Sequence, residues 1–528
     1  QDFVLSPSAS TVAIVQLSQI VSAMSSTTTG FAKVHITTGK STLDKGWLDS
    51  LNTGCSTLRE TFKSGKTLTY DWRLSQLKAM ETMLVNEKER IAGALAADLN
   101  RPDFEVEVYE VASTLAEVRF AISNLRSWMK PESALTPPVL QMGTSRIERI
   151  PKGVVFVMGA WNFPFHLSLT PCIAAIAAGN CVVLKPSDVS PASAQQLKEL
   201  CEKYMDPSAF MTFLGGVEES TELLARKWNH IFYTGNAVIG RVVMTAAAKH
   251  LCPVTLELGG KSPVIVDCGL SASQLATAAN RIVSTACFVN AGQICVSPDY
   301  VLVHQDAEKA LLEALKKAVT EMTQSKENMS KVVNSRHFAR LKNLAETSEG
   351  EVLCGGTKEG TGADAGSCFL PPTIISRPKL TSPSMSEELF GPLLMITPVA
   401  SLDEACAYVN NGEVPLALYV FSNSSRRAQE VISKTRSGGA LINDTALHLV
   451  NPYVPFGGCG ESGFGTYHGK WGFEEFSHKR TVVARPLFLD VDRYPPYTPF
   501  KQSLVRTVML MPDIVKHYAA KFMWICGY

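Results

Sequence analysis

From Gly153 to Leu258 the chain alternates between short apolar runs and longer segments with helical spacing, and this alternation strongly constrains the fold. The apolar runs are Val154–Met158, Cys181–Leu184, Phe210–Leu214, Ile231–Tyr233 and Val254–Leu258. The helical segments are Leu167–Ala178, Ala192–Tyr204, Ser220–Trp228 and Ala237–His250. Continuous apolar strands separated by helices are typical of βαβ units with a parallel sheet buried on both faces. The sequence therefore predicts an α/β fold that binds ligands at the carboxyl ends of its strands.

The flanking segments have patterns of their own. Trp47 to Lys130 has helical spacing, and Pro131 with Pro137-Pro138 marks the linker that follows. A further α/β stretch runs from Lys261 to about Gly439, and the block from Ile442 to Arg480 is rich in glycine and aromatic residues. In the α/β stretch the predicted strands are Val264–Val266, Tyr300–Val303, Leu393–Thr397 and Ala417–Phe421, and the predicted helices are Ala307–Met322 and Leu402–Asn410.

Composition excludes several classes of protein. The chain has 528 residues, of which 45% are hydrophobic and 19% charged, and its net charge is +1. This balance is typical of an ordinary globular protein and gives no indication of a nucleic-acid partner. The 13 cysteines include no Cys-x-x-Cys pair, so we expect neither a disulfide framework nor a metal site. Reduced thiols indicate an intracellular protein that is not secreted.

Both termini differ from the rest of the chain. The first 32 residues carry one charge, Asp2, and are rich in serine and threonine. We expect residues 1–46 to form a flexible tail, with a transit-peptide remnant or sequence upstream of a start at Met24 as alternatives. From Ile514 the spacing predicts an amphipathic helix that packs on the protein, on a second subunit, or peripherally on a membrane. No segment of the sequence has the roughly 18 apolar residues of a membrane span.

Polar turns follow the predicted strands where a cofactor would bind. Thr234-Gly235 ends one strand and opens a helix, and amides at a helix N-terminus can face a phosphate. The glycines Gly235 and Gly240 do not make a Gly-x-Gly-x-x-Gly pattern, so a simple turn is the alternative. Lys185 and Asp188 follow another strand, where they could bond ribose hydroxyls or form only a solvated turn.

A carboxyl and an amide also stand at strand ends. Glu257 lies in an apolar run before Gly259-Gly260, where desolvation would raise its pKa and suit a general base near neutral pH. A structural ion pair is the alternative. Asn162 follows the first strand between bulky rings, where its amide could donate to an oxyanion or only stabilise a turn.

Cys295 differs from the other cysteines in its setting. It follows the turn Asn290-Ala291-Gly292-Gln293, between a helical run and a strand. Most cysteines in apolar segments are inert core residues, whereas a reactive thiolate requires partial exposure and a pKa lowered from about 8.5. The polar turn favours Cys295 as the nucleophile.

In combination these motifs resemble the aldehyde dehydrogenase superfamily. The matching motifs are Trp161-Asn162, Lys185-Pro186-Ser187, Thr234-Gly235, Glu257-Leu258-Gly259-Gly260-Lys261, Gly292-Gln293-Ile294-Cys295, Glu387-Glu388-Leu389-Phe390-Gly391-Pro392 and Pro455-Phe456-Gly457-Gly458. Further motifs resemble its class 3 branch, which includes fatty aldehyde dehydrogenases, and plant members in particular. They are Tyr467-His468-Gly469-Lys470, Phe476-Ser477-His478, Arg493-Tyr494-Pro495-Pro496-Tyr497, Thr61-Phe62-Lys63-Ser64-Gly65 and Trp128-Met129-Lys130-Pro131. The resemblance covers about Trp47 to Tyr497.

The resemblance implies NAD(P)-dependent oxidation of aldehydes, medium or long-chain or aromatic, to carboxylic acids. Cys295 would attack the carbonyl, Asn162 would hold the oxyanion, and Glu257 would activate the water that hydrolyses the thioester. Asp188 stands where glutamate is common, so NADP stays open beside the favoured NAD. The implied cofactor contacts are Lys185, Asp188, Thr234, Gly235, Gly240, Glu388 and Phe390.

The resemblance also implies a homodimer, in the cytoplasm or a plastid, and a domain organisation. The expected parts are a Rossmann-like cofactor domain of residues 47–131 and 151–260, a catalytic domain of residues 261–440, a bridging segment of residues 132–150 and 441–490, and a C-terminal extension of residues 491–528. A non-catalytic structural or binding protein on the same fold is one alternative, but Cys295, Glu257 and Asn162 are all present. A cofactor-independent, esterase-like thiol enzyme is another.

Overall fold

A computed structural model of the protein describes residues 43–137, 140, 143–358, 360–488 and 494–510. The predicted N-terminal tail up to residue 42 and the predicted helix after Ile514 lie outside the described residues, so those predictions stay open. Within the described part of the chain, no helix combines the length and apolarity needed to cross a membrane.

Helices dominate the first part of the described chain and then alternate with strands. The helices are Lys45–Lys63, Tyr70–Asn86, Lys88–Leu99, Asp103–Glu105, Ser113–Trp128, Pro164–Ala178, Pro191–Tyr204, Val217–Ala225, Ala237–Ala248, Ala272–Val283, Gln305–Met322, Ser335–Glu346, Pro383–Ser386, Leu402–Asn411, Ser425–Lys434, Gly469–Glu475 and Pro499–Leu510. Residues Val106–Ala112 form a wider π-helical turn that connects two of these helices.

The strands of the described chain form three sheets. In chain order they are β1 (Glu132–Ala134), β2 (Thr144–Pro151), β3 (Val154–Met158), β4 (Cys181–Lys185), β5 (Phe210–Thr212), β6 (His230–Gly235), β7 (Val254–Leu258), β8 (Ser262–Val266), β9 (Pro298–His304), β10 (Glu351–Cys354), β11 (Thr373–Ser376), β12 (Leu393–Val399), β13 (Ala417–Phe421), β14 (Gly439–Ile442), β15 (Gly463–Phe464) and β16 (Ser477–Ala484). The alternation of helices with strands confirms the predicted α/β class.

One sheet has the strand order β5-β4-β3-β6-β7-β15. Strands β3 to β7 are parallel, and β15 pairs antiparallel with β7. The chain starts in the middle at β3, builds outward to β5, and then crosses to β6 on the other side of β3. This doubly wound order places a crevice beyond the carboxyl ends of β3 and β6, where ligands bind in such sheets.

The helix Pro164–Ala178 fixes the geometry at the end of β3. Pro164 lies in its first turn, where a proline is compatible with the helix, and Gly179 ends it in the left-handed region with φ 93°. It is apolar on all sides and almost wholly buried. Because the helix is held in the core, the short loop that contains Asn162 has rigid elements on both sides.

The second sheet has the order β10-β11-β12-β9-β8-β13-β14, parallel except for β10. The third sheet is antiparallel, with the order β1-β2-β16. It joins residues 132–151 to residues 477–484, with Thr144 opposite Ala484 and Pro151 opposite Ser477. The C-terminal part of the chain therefore returns to the segment that precedes β3.

Candidate active site

Asn162, Glu257 and Cys295 come together at the carboxyl edge of the doubly wound sheet. Asn162 lies in the loop after β3, Glu257 is near the end of β7, and Cys295 precedes β9. The Asn162 side-chain amide donates a 3.0 Å hydrogen bond to the carbonyl of Gln293, and the carboxyl of Glu257 acts electrostatically on the Cys295 thiol. The structure thus gathers an amide donor, a carboxyl group and a thiol from distant parts of the chain.

A strained turn carries Cys295. Asn290, Ala291 and Gly292 have φ values of 49°, 50° and 70°, all in the left-handed region. A Cβ on Gly292 would overlap the backbone carbonyls of Ala286 and Gly391, so this position requires glycine. Non-glycine residues in this region are strained and persist only where surrounding contacts hold them.

The Gln293 side chain supplies several of those contacts. Its amide donates to the carbonyls of Asn290, at 2.9 Å, and Lys331, at 3.0 Å. Its carbonyl oxygen accepts from the N–H of Val333 at 3.0 Å. The turn is therefore fastened to a separate segment of the chain immediately before the thiol.

The Cys295 thiol is partly exposed, but its pKa is not lowered. Burial of the site, and then the carboxyls of Glu388 and Glu257, raise the pKa of the thiol to about 12, while the backbone N–H groups of Cys295 and Val296 oppose this shift. The lowered pKa that a resting thiolate requires is absent, because burial disfavours the thiolate and the nearby charged groups that act on it are acidic. Cys295 therefore rests as a neutral thiol.

Glu257 has the environment that the sequence predicts. Its side chain is buried, and neither carboxyl oxygen has a hydrogen-bond partner among the described residues. Burial, and then the charge of Glu475, raise its pKa well above the ordinary value. An unpaired carboxyl with a raised pKa beside a thiol is suited to proton transfer near neutral pH.

Asn162 keeps donor capacity for a ligand. An asparagine amide carries two N–H donors, and the hydrogen bond to Gln293 uses one of them. The side chain is buried, so the remaining N–H is shielded from bulk water. Preorganised donors in such shielded positions stabilise oxyanions strongly.

Glu388 and Phe390 precede β12 and lie against the strands of the site. Oε1 of Glu388 accepts from the N–H of Gly260 at 3.1 Å, and burial followed by the charge of Asp299 raises the Glu388 pKa to about 8. Phe390 has a left-handed φ of 51°, and its ring centroid is 5.3 Å from that of Trp161. The acidic group and the ring thus lie near the turns at the ends of β7 and β3.

Thr234 and Gly235 close β6, and Asn236 caps the helix Ala237–Ala248 by accepting from the N–H of Ile239 at 3.0 Å. The buried Thr234 hydroxyl has no hydrogen-bond partner in the described part of the chain. Gly240 lies farther along the helix, where a Cβ would be 3.1 Å from the Leu258 side chain. Gly240 therefore allows the helix to pack closely on β7 and does not lie in the turn itself.

Lys185 and Asp188 lie at the end of β4, with Lys185 Nζ 3.4 Å from Asp188 Oδ1. Lys185 is buried, which lowers its pKa, whereas the Asp188 side chain is 53% exposed. The buried ammonium and the accessible carboxylate lie at the end of β4, and the unpaired threonine hydroxyl lies at the end of β6, on the other side of β3. These groups fit the hydroxyl and phosphate groups of a dinucleotide. No group of metal-binding side chains occurs among the residues described.

Sequence reasoning missed Arg101, Glu105 and Tyr467. Arg101 donates to the carbonyl of Asn162, and Glu105 accepts from the N–H of Asn290 at 2.9 Å. The pKa of the buried Tyr467 phenol is raised by burial first and also by Glu257 and Cys295. Tyr467 begins a motif that indicated only the class 3 resemblance, and the segment around Arg101 has no local signal because its partners are far away in the chain.

Comparison with known proteins places this geometry in context. A model of the aldehyde dehydrogenase family matches residues 49–482. Aldehyde dehydrogenase family 3 member B1 of Mus musculus is 42% identical over 458 residues, which are 85% of this chain and 96% of the mouse protein. Aldehyde dehydrogenase family 3 member H1 of Arabidopsis thaliana is 43% identical over 460 residues, which are 86% of this chain and 93% of the plant protein.

A solved structure shows the same architecture. The substrate-bound state of Staphylococcus aureus AldH superposes with a TM-score of 0.83 and 34% sequence identity. The match covers 87% of this chain and 99% of the bacterial one. The predicted fold and the predicted class 3 resemblance are thus confirmed, and the mouse and plant relatives match to nearly the same identity.

Proposed function

The chain belongs to the aldehyde dehydrogenase family, and from that membership we propose the residues with which it oxidises aldehydes to carboxylic acids in an NAD(P)-dependent reaction. The observation that carries the assignment is the meeting of a neutral thiol, an unpaired buried carboxyl and a shielded amide donor at one sheet edge. Covalent capture of a carbonyl requires these groups as nucleophile, base and oxyanion donor.

In the first step the Cys295 sulfur attacks the aldehyde carbon. Because the thiol is neutral, its proton must leave as the C–S bond forms. We assign the proton to the Glu257 carboxylate, and the electrostatic effect of Glu257 on the thiol supports this role. The free N–H of Asn162 and the backbone N–H of Cys295 then hold the oxyanion of the thiohemiacetal. The product is a carbon that can lose hydride and become a thioester.

We assign the cofactor contacts to the residues that fit a dinucleotide. Lys185 and Asp188 would hold the adenosine ribose, and Thr234 and Gly235 would approach the pyrophosphate. Glu388 and Phe390 would position the nicotinamide ribose and ring. Gly240 contributes by letting the helix pack on β7. When bound, the nicotinamide ring accepts the hydride.

Glu257 acts again in the second step. The proton that Glu257 accepted from the thiol first passes to solvent, which makes Glu257 a carboxylate again. It then takes a proton from water while the oxygen attacks the thioester carbon. As the C–S bond breaks to release the carboxylic acid, that proton passes to the sulfur and restores the Cys295 thiol. Burial, and then the charge of Glu475, raise the pKa of Glu257, which makes its carboxylate a stronger base than an exposed one.

Medium or long-chain aliphatic and aromatic aldehydes are the proposed substrates. The aromatic residues Trp161, Phe390 and Tyr467 near the nucleophile support an apolar pocket. We propose NAD as the preferred cofactor, because the Asp188 carboxylate would repel a ribose phosphate. A homodimer is proposed from class 3 membership, and exposed apolar residues on the edge strands β14 and β16, Ile442 and Val483, support it.

The domain assignments also stay proposals. The doubly wound sheet supports a cofactor domain in residues 151–260, and the third sheet supports a bridging role for residues 132–150 and 441–490. We propose a location in the cytoplasm or a plastid. The 12 cysteines of the described residues are all free, which supports a reducing compartment.

Purified protein, an aldehyde series and either NAD or NADP test the assignment by the appearance of reduced nicotinamide. We expect turnover in the wild type and its loss in Cys295→Ala. Cys252→Ala, which removes another partly exposed thiol outside the site, should retain activity. Full activity in Cys295→Ala would assign the chemistry to another nucleophile.

A further inference from the structure

A buried segment contacts both the loop that carries Asn162 and the turn that carries Cys295. None of the proposed chemical steps uses this segment. Arg101 lies just before the short helix Asp103–Glu105, and Glu105 ends that helix where the π-helical turn Val106–Ala112 begins. The Arg101 side chain is fully buried, and that of Glu105 is 12% exposed. Fully buried arginines are rare unless their charge is paired.

Contacts with three other residues hold the Arg101 side chain in place. One end of its guanidinium donates to the backbone carbonyl of Asn162, and Nη1 pairs with Glu110 Oε1 at 3.2 Å. The guanidinium carbon lies 4.6 Å from the centroid of the Phe163 ring. A planar guanidinium held by a carboxylate and an aromatic face has little freedom to move. The hydrogen bond from Arg101 therefore holds the backbone carbonyl of Asn162 in place.

Glu105 contacts the turn that carries Cys295. Its Oε2 accepts from the N–H of Asn290 at 2.9 Å and from the Ser330 hydroxyl at 3.2 Å. Asn290 is the first of the three left-handed residues in the turn that carries Cys295. The same Glu105 oxygen lies 3.9 Å from Arg101 Nε, so the two side chains are neighbours.

The side chain of Asn290 connects the Cys295 turn to the Asn162 loop. Its side-chain amide donates to the carbonyl of Asn162 at 2.8 Å and to that of Gln293 at 3.0 Å. The carbonyl of Asn162 thus accepts from Arg101 and Asn290, while the backbone of Asn290 is held by Glu105. Arg101 and Glu105, from one short segment, therefore contact both the loop that carries Asn162 and the turn that carries Cys295.

We propose that Arg101 and Glu105 are positioning residues for aldehyde oxidation, which hold the Asn162 loop and the Cys295 turn in register with each other. The inference rests on the proposed roles of Asn162 and Cys295. It goes beyond them because neither Arg101 nor Glu105 touches the reacting atoms. Their effect on the rate comes from the placement of donor and nucleophile, and small misplacements of reacting groups are costly.

The first experiment compares Glu105→Ala with Glu105→Gln. Glutamine keeps an oxygen that can accept from Asn290, whereas alanine removes it. We expect the rapid-mix rate of the first turnover of reduced nicotinamide to fall about 10- to 100-fold in Glu105→Ala and to be largely rescued in Glu105→Gln. The KM for NAD should stay unchanged in both. Glu107→Ala, on the same turn but paired with Lys88, is the matched control.

The second experiment is a double-mutant cycle. If Glu105 and Arg101 act through Asn162 and the turn, Glu105→Ala and Arg101→Lys should each cost much less in an Asn162→Ala background than in the wild type. Additive losses would overturn the proposal, as would a wild-type rate in Glu105→Ala or equal losses in Glu105→Ala and Glu105→Gln. Thermal unfolding of each variant separates a folding defect from misplacement.

The variant Cys295→Ala distinguishes a failure of the proposed chemistry from a failure of the positioning role. If that variant keeps full activity, the assignment of the nucleophile fails whatever the Glu105 variants do. If it is inactive and Glu105→Ala is as fast as the wild type, the nucleophile assignment stands and the positioning role is overturned.

Discussion

Thr234 and Glu257 are paired in register on the parallel strands β6 and β7, and neither side chain has a hydrogen-bond partner within the described part of the chain. Both side chains are buried. Buried polar groups are nearly always satisfied, so a neighbouring pair without partners indicates groups that bind a ligand or take part in chemistry. The pair therefore links the proposed pyrophosphate contact to the proposed base.

Replacing Glu257 by glutamine should separate the two halves of the reaction. Attack by Cys295 becomes slow, because the proton acceptor is lost, but thioester hydrolysis should be affected more, since water is a weaker acid and nucleophile than a thiol. We expect steady-state turnover to fall about 100-fold or more. Acyl-enzyme should be detectable by intact-protein mass spectrometry after mixing with aldehyde and NAD.

The control for this prediction is Glu461→Gln, which alters an exposed carboxyl outside the site. An unchanged steady-state rate in Glu257→Gln would remove Glu257 from the role of base. A slow variant without acyl-enzyme would limit its role to the first step.

Glu475 should control the pH at which Glu257 works. Burial raises the pKa of Glu257 most, and the negative charge of Glu475 raises it further, because like charges disfavour ionisation. Replacing Glu475 by glutamine removes that charge, so the Glu257 pKa should fall. The rising limb of turnover against pH should then move to lower pH.

A pH–rate profile of Glu475→Gln beside the wild type measures this shift. Glu474→Gln is the matched control, because Glu474 pairs with Lys479 and Arg149. Movement of the limb toward higher pH, or a shift of the same size in Glu474→Gln, would contradict the electrostatic explanation.

The reactivity of Cys295 without cofactor should depend on Glu388. After burial, the Glu388 carboxyl is the next cause of the raised thiol pKa of about 12. Glu388 itself ionises at a pKa of about 8, so its charge acts on the sulfur at alkaline pH. Glu388→Gln should lower the thiol pKa, and alkylation of Cys295 by iodoacetamide should be faster in alkaline buffer.

Peptide mass spectrometry measures that alkylation rate for Cys295 alone. Glu387→Gln, which changes the exposed neighbouring carboxyl, should react like the wild type. Slower alkylation in Glu388→Gln would mean that the charge of Glu388 does not suppress the thiolate.

Cofactor choice should depend on Asp188. Its carboxylate lies 3.4 Å from the Lys185 ammonium at the end of β4 and would repel a phosphate on the ribose. Asp188→Asn removes the repulsion and leaves Lys185 free to attract phosphate, so the kcat/KM ratio of NADP to NAD should rise about two- to fivefold. Glu202→Gln, on the following helix, should leave the ratio unchanged, and an unchanged ratio in Asp188→Asn would rule out the repulsion.

The parallel strands β3 to β7 of the doubly wound sheet were predictable because each contains a continuous apolar run. Val154–Met158 and Val254–Leu258 have their predicted bounds. The edge strands β14 and β16 were not predicted, since β14 has only four residues and β16 begins with the polar residues Ser477 to Thr481. The predicted helix Ser220–Trp228 ends at Ala225, because the backbone of Arg226 turns to an extended conformation and Trp228 packs back to donate to the carbonyl of Leu223.

The site residues that could be predicted have a local sequence signal, whereas those that could not depend on partners far away in the chain. Asn162, Glu257 and Cys295 could be predicted because each has a local signal, a strand end or a polar turn. Arg101 and Glu105 could not, because their partners Asn162 and Asn290 lie 61 and 185 residues away. The raised pKa of the Cys295 thiol could not be predicted either, since it depends first on burial and then on Glu388 and Glu257, and only the fold brings these about.

The glycine in the turn before Cys295 should be irreplaceable, whereas a helical glycine elsewhere should not. Gly292 has φ 70°, and a Cβ there would overlap two backbone carbonyls, which cannot move aside as a side chain could. Gly292→Ala should therefore displace the turn, abolish most of the activity and lower the unfolding midpoint, since alanine in this conformation alone costs about 1–2 kcal/mol.

Gly93 lies within the helix Lys88–Leu99, and a Cβ added there would have no atom within 4 Å. Gly93→Ala should keep full activity and gain roughly 0.5–1 kcal/mol of stability. Thermal unfolding with parallel activity assays of both variants checks the contrast, and an active, stable Gly292→Ala would show that the left-handed turn is not required to present the thiol.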